Sequence, residues 1–413
     1  MTQALVIGAG LAGLAAALDL AKARVAVTLA ERRAFPGGRA YSFADASGET
    51  VDNGQHVFLE CCTAYRSFLD EVGASDLVTL QARAEVPFVD LRSGKTTVLR
   101  ESWLPAPFHF LFSILGFKPL SWRDRRAILR AGRAMRKEAG SDAESLGTWL
   151  RARGQSDDAI RLFWDPSIVS VLNEHVDRVS SSQGIFVLRT AFFERKAAAR
   201  VGVASVPLGE IADRAVARIR AEGGTVEFNR KLDRLPDGPV ISAVPAKALL
   251  ELLGPQATHP FFAPAAAMET SPIVNLHFLF DAPVEAPRFF ACVGGKLQWV
   301  FSRGKQVTVS QSAARDLVDR PNAELEREFL DELRKAIPGL KAPKRCVIVR
   351  EREATFVASP GAASRRLPCA TPLPNLFLAG EWTEGAWPST MEAAVRSGKR
   401  AAAELIRRFH LVD

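Results

Sequence analysis

Residues 4–13 have the sequence Ala-Leu-Val-Ile-Gly-Ala-Gly-Leu-Ala-Gly, and this stretch decides the fold. Its first four residues are apolar, as in a buried parallel strand, and its glycines fit the pattern G-x-G-x-x-G. Gly8 permits a tight turn, Gly10 lets the backbone approach a phosphate, and Gly13 lets the next helix pack closely on the strand. The stretch predicts a strand, a phosphate-binding turn and a helix over residues 11–23.

A second strand and an acidic residue follow at the spacing of a dinucleotide-binding unit. Residues 25–29 (Val-Ala-Val-Thr-Leu) are apolar enough for a buried strand. Glu31 follows Gly13 at about the 20-residue distance at which a carboxylate binds ribose hydroxyls. The N–H groups at the start of the helix would face the pyrophosphate, with the helix dipole adding to the attraction. We therefore expect cofactor contacts from Leu11, Ala12, Glu31 and the adjoining Arg32.

Another strand, turn and helix are predicted near the other end of the sequence. Residues 376–381 (Leu-Phe-Leu-Ala-Gly-Glu) form an apolar strand ending in a glycine and an acid, and residues 388–394 (Pro-Ser-Thr-Met-Glu-Ala-Ala) begin a helix with a capping hydroxyl. A nicotinamide site needs only the first motif, whereas FAD is long enough to need both. The two motifs together predict FAD. The expected contacts here are Gly380, Glu381, Thr390 and Met391.

A glycine-rich loop follows the first acidic residue. Residues 35–40 are Phe-Pro-Gly-Gly-Arg-Ala. Gly38 and Arg39 suit a loop that passes close to the pyrophosphate. The alternative is an exposed turn with a solvated arginine.

The interior of the chain predicts a return to the cofactor domain. Residues 207–222 have helical apolar spacing, and residues 225–228 and 240–245 have the composition of strands. The predicted fold is α/β, with a discontinuous Rossmann-like FAD-binding domain and an α+β substrate domain of mixed sheet plus helices. The first comprises residues 1–75, 200–255 and 368–413, and the second residues 76–199 and 256–367. With 413 residues, the chain has room for both.

An apolar segment followed by a basic one lies within the predicted substrate domain. Residues 103–117 hold no charged residue if His109 is neutral, but 15 residues are too few to span a bilayer. Residues 118–137 carry eight basic residues against one acid, Asp124. No nucleic-acid-binding motif is present, so residues 103–137 predict a membrane-facing segment or the lining of a lipid channel. The alternative is a core helix followed by a solvated basic face.

Strands and aromatic residues are expected to enclose the substrate. Residues 273–280, 298–301 and 307–311 alternate as strands of one sheet. His277, on the first of these, is expected to be a buried packing residue. The composition of 25 Phe against two Tyr favours a pocket that avoids hydroxyl groups.

The cysteines and the start of the sequence bear on localisation. The five cysteines show no C-x-x-C or zinc spacing, so we expect no metal site and a reducing compartment. No signal peptide precedes the first predicted strand. We expect a cytoplasmic protein, peripheral on the cytoplasmic face of a membrane.

Both motifs and the Gly37-Gly38-Arg39 loop resemble the amine oxidase and phytoene desaturase superfamily of flavoproteins. This resemblance implies that Leu232 packs on the adenine and that residues 51–58 (Val-Asp-Asn-Gly-Gln-His-Val-Phe) lie beside the flavin. Gly54 would let the backbone pass close to the ring, next to Gln55. His56 can donate a hydrogen bond or carry a proton near neutral pH. The alternative is that His56 only fixes the loop.

Several segments resemble one group within that superfamily, the hydroxysqualene dehydroxylases. They are residues 51–59, 61–66, 164–173, 275–281 and 379–383. The sequence departs from the pattern of this group after Asn173: the group often has a Pro-rich stretch there, whereas this chain has Glu174-His-Val-Asp177. The resemblance implies reductive conversion of hydroxysqualene, a C30 isoprenoid alcohol, to squalene in hopanoid biosynthesis, by loss of water and hydride transfer from reduced flavin N5. It requires an electron donor that the sequence does not identify.

An acid must protonate the departing hydroxyl, and His56 is our first candidate because its ordinary pKa near 6.5 suits proton donation at neutral pH. Asp52 is the other catalytic candidate, with orientation of the loop as its alternative role, and Glu381, a third acid near the ring, is expected only to bind the cofactor. Three other functions are considered. A carotenoid-type desaturase would take hydride from a hydrocarbon, and an amine oxidase would need tyrosines that this chain lacks beyond Tyr41 and Tyr65. A non-catalytic prenyl-lipid-binding protein is disfavoured by the intact glycines of both motifs.

Overall fold

The structure is a computed structural model that describes residues 3–410. The strands of this part of the chain, in order, are β1 (Ala4–Ile7), β2 (Val27–Ala30), β3 (Ser42–Ala44), β4 (Thr50–Asp52), β5 (Val57–Leu59), β6 (Val78–Leu80), β7 (Glu85–Asp90), β8 (Lys95–Arg100), β9 (Val201–Ala204), β10 (Thr225–Glu227), β11 (Val240–Ser242), β12 (Thr270–Leu279), β13 (Phe289–Val293), β14 (Trp299–Arg303), β15 (Gln306–Gln311), β16 (Arg345–Phe356) and β17 (Leu376–Leu378).

The α-helices of the same residues are α1 (Leu11–Lys22), α2 (Thr63–Glu71), α3 (Leu111–Leu115), α4 (Trp122–Met135), α5 (Leu146–Arg151), α6 (Asp157–Ala159), α7 (Asp165–Leu172), α8 (Ser181–Phe192), α9 (Leu208–Ala221), α10 (Ala246–Leu253), α11 (Ala263–Ala266), α12 (Asn322–Ala336) and α13 (Met391–Phe409). A π-helical turn, Ile160–Trp164, joins α6 to α7.

A parallel sheet with the strand order β10-β2-β1-β11-β17 brings the two sequence motifs together. Leu5 of β1 lies opposite Val240 of β11, and Val240 lies opposite Leu376 of β17. Every neighbouring pair in this sheet is parallel. Because the carboxyl ends of parallel strands meet at one edge, the turns after β1 and β17 lie at the same edge of the sheet.

Helix α1 is almost entirely buried because it lies between this sheet and other helices. Its alanines and leucines are inaccessible to solvent from Leu14 to Leu18, and it packs against α9 and α13. A Cβ atom on Gly398 of α13 would lie 2.1 Å from the carbonyl oxygen of Ala12. A side chain at residue 398 is therefore excluded by the close approach of α13 to α1.

A mixed sheet with the order β16-β12-β15-β14-β13-β7-β8 forms the second layer. Its pairs are antiparallel except β13 with β7. Alternate residues such as Val274, Leu276 and Val309 pack against α12 through Phe329. The intervening residues lie on the opposite face, toward the rest of the molecule.

Helices α4, α5, α7 and α8 pack around buried aromatic residues beside this sheet, among them Trp149 and Phe117. Residues 103–117 hold the short helix α3 and lead into α4, which Ser121 caps by accepting a hydrogen bond from the N–H of Asp124 (3.2 Å). Within residues 3–410, no helix combines the length and apolarity that a membrane crossing requires.

Candidate active site

A cavity of about 1230 Å³ is lined by residues of both sheets and of the helices between them. The residues predicted from the sequence that line it are Gly8, Gly10, Leu11, Ala12, Glu31, Arg32, Gly38, Arg39, Gly54, Gln55, His56, Leu232, Gly380, Glu381, Thr390 and Met391. Gly13 and Asp52 are outside this lining. The structure thus gathers residues from three distant parts of the chain around one space.

Two glycine loops meet at one end of the cavity. The N–H of Gly37 donates to the carbonyl oxygen of Ala9 (2.8 Å), and a Cβ atom on Gly38 would lie 2.8 Å from the Cα of Gly10. Gly38 has a φ of +60°, which favours glycine. The two loops therefore present bare backbone to the cavity.

The start of α1 and one carboxylate complete this polar end. Gly10, at the N-cap, has no side chain to cap the helix, and the next two residues line the cavity. Glu31 is buried; its Oε2 accepts from the N–H of Ala9 (2.7 Å) and its Oε1 from the N–H of Arg33 (2.9 Å). The backbone N–H groups, the helix N-terminus and the fixed carboxylate are groups that suit a pyrophosphate and a ribose. The residues therefore fit the dinucleotide part of FAD.

An ion pair joins the glycine-rich loop to the second motif. Nη2 of Arg39 lies 2.5 Å from Oε2 of Glu381, and Nη1 of Arg39 donates to the carbonyl oxygen of Ala354 (2.9 Å). Burial by itself would lower the pKa of Arg39, but the carboxylates of Glu381, Glu351 and Glu353, with Glu381 foremost, together raise that pKa. Arg366 donates to the carbonyl oxygen of Glu381 (3.0 Å), and burial lowers the pKa of Arg366 to about 10.

The N-terminus of α13 is fixed at the cavity by its caps. Oγ1 of Thr390 accepts from the N–H of Ala393 (3.2 Å), as expected from the sequence. The buried carboxylate of Glu392 accepts from the N–H groups of Ala64 (3.0 Å) and Tyr65 (2.8 Å) at the start of α2. Gly380 has a φ of +137°, a backbone conformation that favours glycine. Its N–H donates to Oγ of Ser397 (2.8 Å). The helix start is thus held rigidly against the cavity.

Asp52 and His56, the two catalytic candidates, lie at the two ends of the loop between β4 and β5 and have different surroundings. Oδ1 of Asp52 accepts from Oγ of Ser42 (2.7 Å) and from the N–H of Leu208 (3.0 Å), so this carboxylate holds the start of α9. His56 lines the cavity, with Nδ1 3.2 Å from the carbonyl oxygen of Gly54. Burial lowers the pKa of His56. Of the two residues, His56 is the one within reach of a substrate.

The other end of the cavity is apolar and rich in aromatic rings. Its walls include Phe108, Phe110, Leu111, Ile114, Ile128, Leu129, Phe163, Trp164, Val171, Phe186, Phe192, Phe193, Phe289, Trp299 and Phe301. Phe186 packs edge-on against Trp387, whose loop links the strand β17 to α13. The wall therefore continues from the second motif into the hydrocarbon-like part of the cavity.

Three residues take part in this arrangement without a role predicted from the sequence: Asn275, Arg366 and Glu392. For Glu392, the arginine four residues later on the helix was a usable signal, because Arg396 pairs with it (2.6 Å). Asn275 and Arg366 have no local signal. His277 matches its prediction: it is buried, and its Nδ1 lies 2.9 Å from Oγ1 of Thr308, outside the cavity lining.

The family follows from comparison with known proteins. Residues 11–406 match the flavin containing amine oxidoreductases. The chain belongs to this family.

Within it, the chain is 31% identical to the hydroxysqualene dehydroxylase of Rhodopseudomonas palustris and 30% identical to that of Sinorhizobium fredii, each over 96% of both chains. A probable zeta-carotene desaturase of Synechococcus elongatus is more distant, at 22% identity over 97% of this chain and 98% of its own. The structure of an oxidoreductase from Methanosarcina mazei superposes with a TM-score of 0.76 at 19% identity, over 97% of this chain and 100% of its own.

These matches confirm the predicted fold class and the resemblance to the hydroxysqualene dehydroxylases. The protein is a flavin-dependent oxidoreductase, and FAD is its cofactor, as the paired motifs indicated.

Proposed function

We propose that this protein converts hydroxysqualene to squalene by FAD-dependent reductive dehydroxylation, a step of hopanoid biosynthesis. The observation that carries the proposal is that one cavity is lined both by the glycine loops and by a large set of apolar and aromatic side chains. A flavin held by the glycine loops would meet a C30 isoprenoid chain held by the apolar side chains. The similarity to hydroxysqualene dehydroxylases over nearly the whole chain supports the same substrate.

We assign FAD binding to the predicted residues that line the cavity, with Gly13 acting through the packing of α1 on β1. The same proposal divides the chain into a FAD-binding part, residues 1–75, 200–255 and 368–413, and a substrate part, residues 76–199 and 256–367. Leu232 lines the cavity two residues after Arg230, whose N–H donates to the carbonyl oxygen of Glu31 (2.9 Å), and there it would contact the adenine.

Reduced FAD supplies hydride when bound. The side chains of the cavity have three tasks in this reaction: they exclude water, stabilise positive charge and hold a proton. The apolar wall excludes water, so that the carbon losing its hydroxyl is protected from water adding back. Aromatic faces such as Phe301 and Trp299 stabilise positive charge on that carbon. His56 holds the proton for the departing hydroxyl, and Asp52 positions α9 from outside the cavity.

The test is an anaerobic incubation of the reduced protein with hydroxysqualene, followed by identification of the lipid product. We expect squalene. A parallel incubation of oxidised protein with squalene tests the desaturase alternative, which predicts a product with an additional double bond. Failure to form squalene with FAD fully bound would sink the proposed reaction and leave the family assignment intact.

We further propose that the cavity opens onto a membrane surface. Trp103, Phe108, Phe112 and Trp122 are between 54% and 77% exposed, although they are large and apolar. Phe108 is both exposed and part of the cavity lining, so the cavity opens beside these aromatic side chains. Such a cluster suits the interface of a bilayer, from which a C30 lipid could enter.

Basic side chains border the same opening. Arg133, Arg136 and Lys137 are exposed and line the cavity. The neighbouring acids have other partners: Asp124 bonds to Ser156 (2.7 Å) and Glu138 pairs with Arg153. The three basic residues are therefore available for lipid phosphates, each contributing about 1 kcal/mol at an anionic surface. We propose the cytoplasmic face for this surface, because the cysteine pattern favours a reducing compartment.

Vesicle binding tests this orientation. The wild type should sediment with phosphatidylserine-containing vesicles more strongly than with phosphatidylcholine vesicles. The double variant Arg133→Glu/Arg136→Glu should lose at least about tenfold in affinity for the anionic vesicles. The control is Lys341→Glu/Lys344→Glu, which reverses two exposed charges in the loop before β16. Equal losses in both double variants would contradict a membrane site at the cavity opening.

A further inference from the structure

Asn275 carries a buried hydrogen-bond acceptor at the cavity that none of the described residues satisfies. It is 2% exposed and lies on β12. Among the buried side-chain oxygens and nitrogens of the described residues that lack a partner, Oδ1 of Asn275 is the one that belongs to the cavity lining. A buried amide oxygen without a donor costs about 1–3 kcal/mol, so such a group at a binding site indicates a ligand that donates.

The amide is held in one orientation by the loop that carries His56. Nδ2 of Asn275 donates to the carbonyl oxygen of Asn53 (3.2 Å). A Cβ atom on Gly54 would lie 2.7 Å from the same Nδ2, so the loop packs directly against the amide. The nitrogen is thus engaged with protein, and Oδ1 is left as the acceptor for whatever occupies the cavity.

The cavity wall beside this acceptor includes apolar side chains. Ile273, two residues earlier on β12, lies on the same face of the sheet and lines the cavity. Ser310 lies opposite Asn275 on β15, and Trp299 lies opposite Ser310 on β14; both line the cavity too. Ser310, despite this position, does not donate to Oδ1. An isolated acceptor in such a wall would recognise a hydroxyl group on an otherwise apolar ligand.

We propose that Oδ1 of Asn275 accepts a hydrogen bond from the hydroxyl of the substrate and makes the site select the alcohol over the hydrocarbon of the same skeleton. This inference rests on the proposed function, because it takes hydroxysqualene as the ligand. Squalene, the product, lacks the hydroxyl and therefore leaves the Oδ1 acceptor of Asn275 without a donor. The same residue therefore favours release of squalene once the hydroxyl has departed.

The test measures binding and not turnover. Hydroxysqualene and squalene are each titrated into the oxidised, FAD-loaded protein, with the flavin absorbance or fluorescence as the signal. The wild type should bind the alcohol more tightly. Asn275→Leu, which is similar in size, should weaken binding of the alcohol about tenfold and should tighten binding of squalene, because no acceptor is then left without a donor. Asn275→Asp, which keeps an acceptor, should retain most of the preference.

Three results would overturn this role. They are a wild type without preference for the alcohol, an equal loss of both ligands in Asn275→Leu, and a changed flavin spectrum or content in that variant. The last result would mean that Oδ1 contacts the cofactor. A wild type that prefers the alcohol in this titration but forms no squalene on reduction would refute the proposed reaction and leave the role of Asn275 standing.

Discussion

Nη2 of Arg39 lies 2.5 Å from Oε2 of Glu381, so one ion pair connects the loops that follow β2 and β17 of the parallel sheet. Glu381 is buried, while the side chain of Arg39 is 34% exposed. Both residues line the cavity. The pair therefore couples the stability of the two halves of the proposed FAD site.

Removing one member of this pair should destabilise the protein and reduce its FAD content. We expect Arg39→Gln or Glu381→Gln to lower the free energy of unfolding by roughly 1–3 kcal/mol, between the values of exposed and buried ion pairs. The double variant should lose less than the sum of the two single variants, because each single variant leaves one charge unpaired. Urea unfolding and the flavin-to-protein ratio measure both effects. Strictly additive losses would show that the two residues act independently.

Gly13 should tolerate no side chain, although it is outside the cavity lining. A Cβ atom there would lie 1.9 Å from the carbonyl oxygen of Gly8, in the turn that β1 feeds into α1. We expect Gly13→Ala to cost at least about 3 kcal/mol and to abolish FAD retention. The control is Gly48→Ala, where φ is +83° and no atom lies within 4 Å of the added Cβ. It should cost about 1 kcal/mol through its backbone conformation alone. Similar stabilities for the two variants would contradict this packing.

The parts of the fold that local patterns encode could be predicted from the sequence. β1 and α1 lie where residues 4–7 and 11–23 predicted them, since apolar runs and glycine spacing act within a few residues. β16 gave no such signal. It is an edge strand with the alternating charges Arg350-Glu351-Arg352-Glu353, and it is defined by its pairing with β12.

The roles of site residues depend on contacts between distant parts of the chain. Asp52 is close to His56 in sequence, but its carboxylate bonds to the N–H of Leu208 and is directed away from the cavity lining. Asn275 lies on a strand that was predicted, yet its amide becomes significant through the carbonyl of Asn53. Neither relationship can be obtained from spacing, because each joins residues more than 150 positions apart and forms only when those segments pack together.

Replacement of His56 tests the proposed proton donor. His56→Gln, which keeps a hydrogen-bonding side chain at this position, should lower kcat per bound FAD by about 10²–10⁴-fold. Because burial lowers the pKa of His56 from its ordinary value of 6.5, the protonated form is lost as pH rises through a value below 6.5. Wild-type kcat/KM should therefore fall with rising pH in that range, and the variant should lack this dependence. The exposed His259, changed to Gln, is the control. Unchanged turnover in His56→Gln would remove the residue as the acid.

The buried His277 should make the fold sensitive to acid. Burial lowers its pKa from 6.5 to about 4, so between these values the unfolded chain binds a proton that the native protein does not. Stability is therefore complete above about pH 6.5 and is lost as pH falls toward 4, by about 3 kcal/mol in total. Urea unfolding at several pH values should show a smaller acid loss in His277→Leu. His56 and His109, whose pKa values burial also lowers, should preserve part of the dependence. An identical pH profile in the variant would contradict this account of His277.

The central claim is that this flavoprotein delivers reducing equivalents to a C30 alcohol. It is tested most directly by mixing the anaerobically reduced protein with hydroxysqualene and measuring flavin reoxidation together with squalene in one sample. We predict one squalene for each flavin reoxidised, and no reoxidation when squalene replaces the alcohol. Flavin that stays reduced in the presence of bound hydroxysqualene, or reoxidises without forming squalene, would contradict the claim.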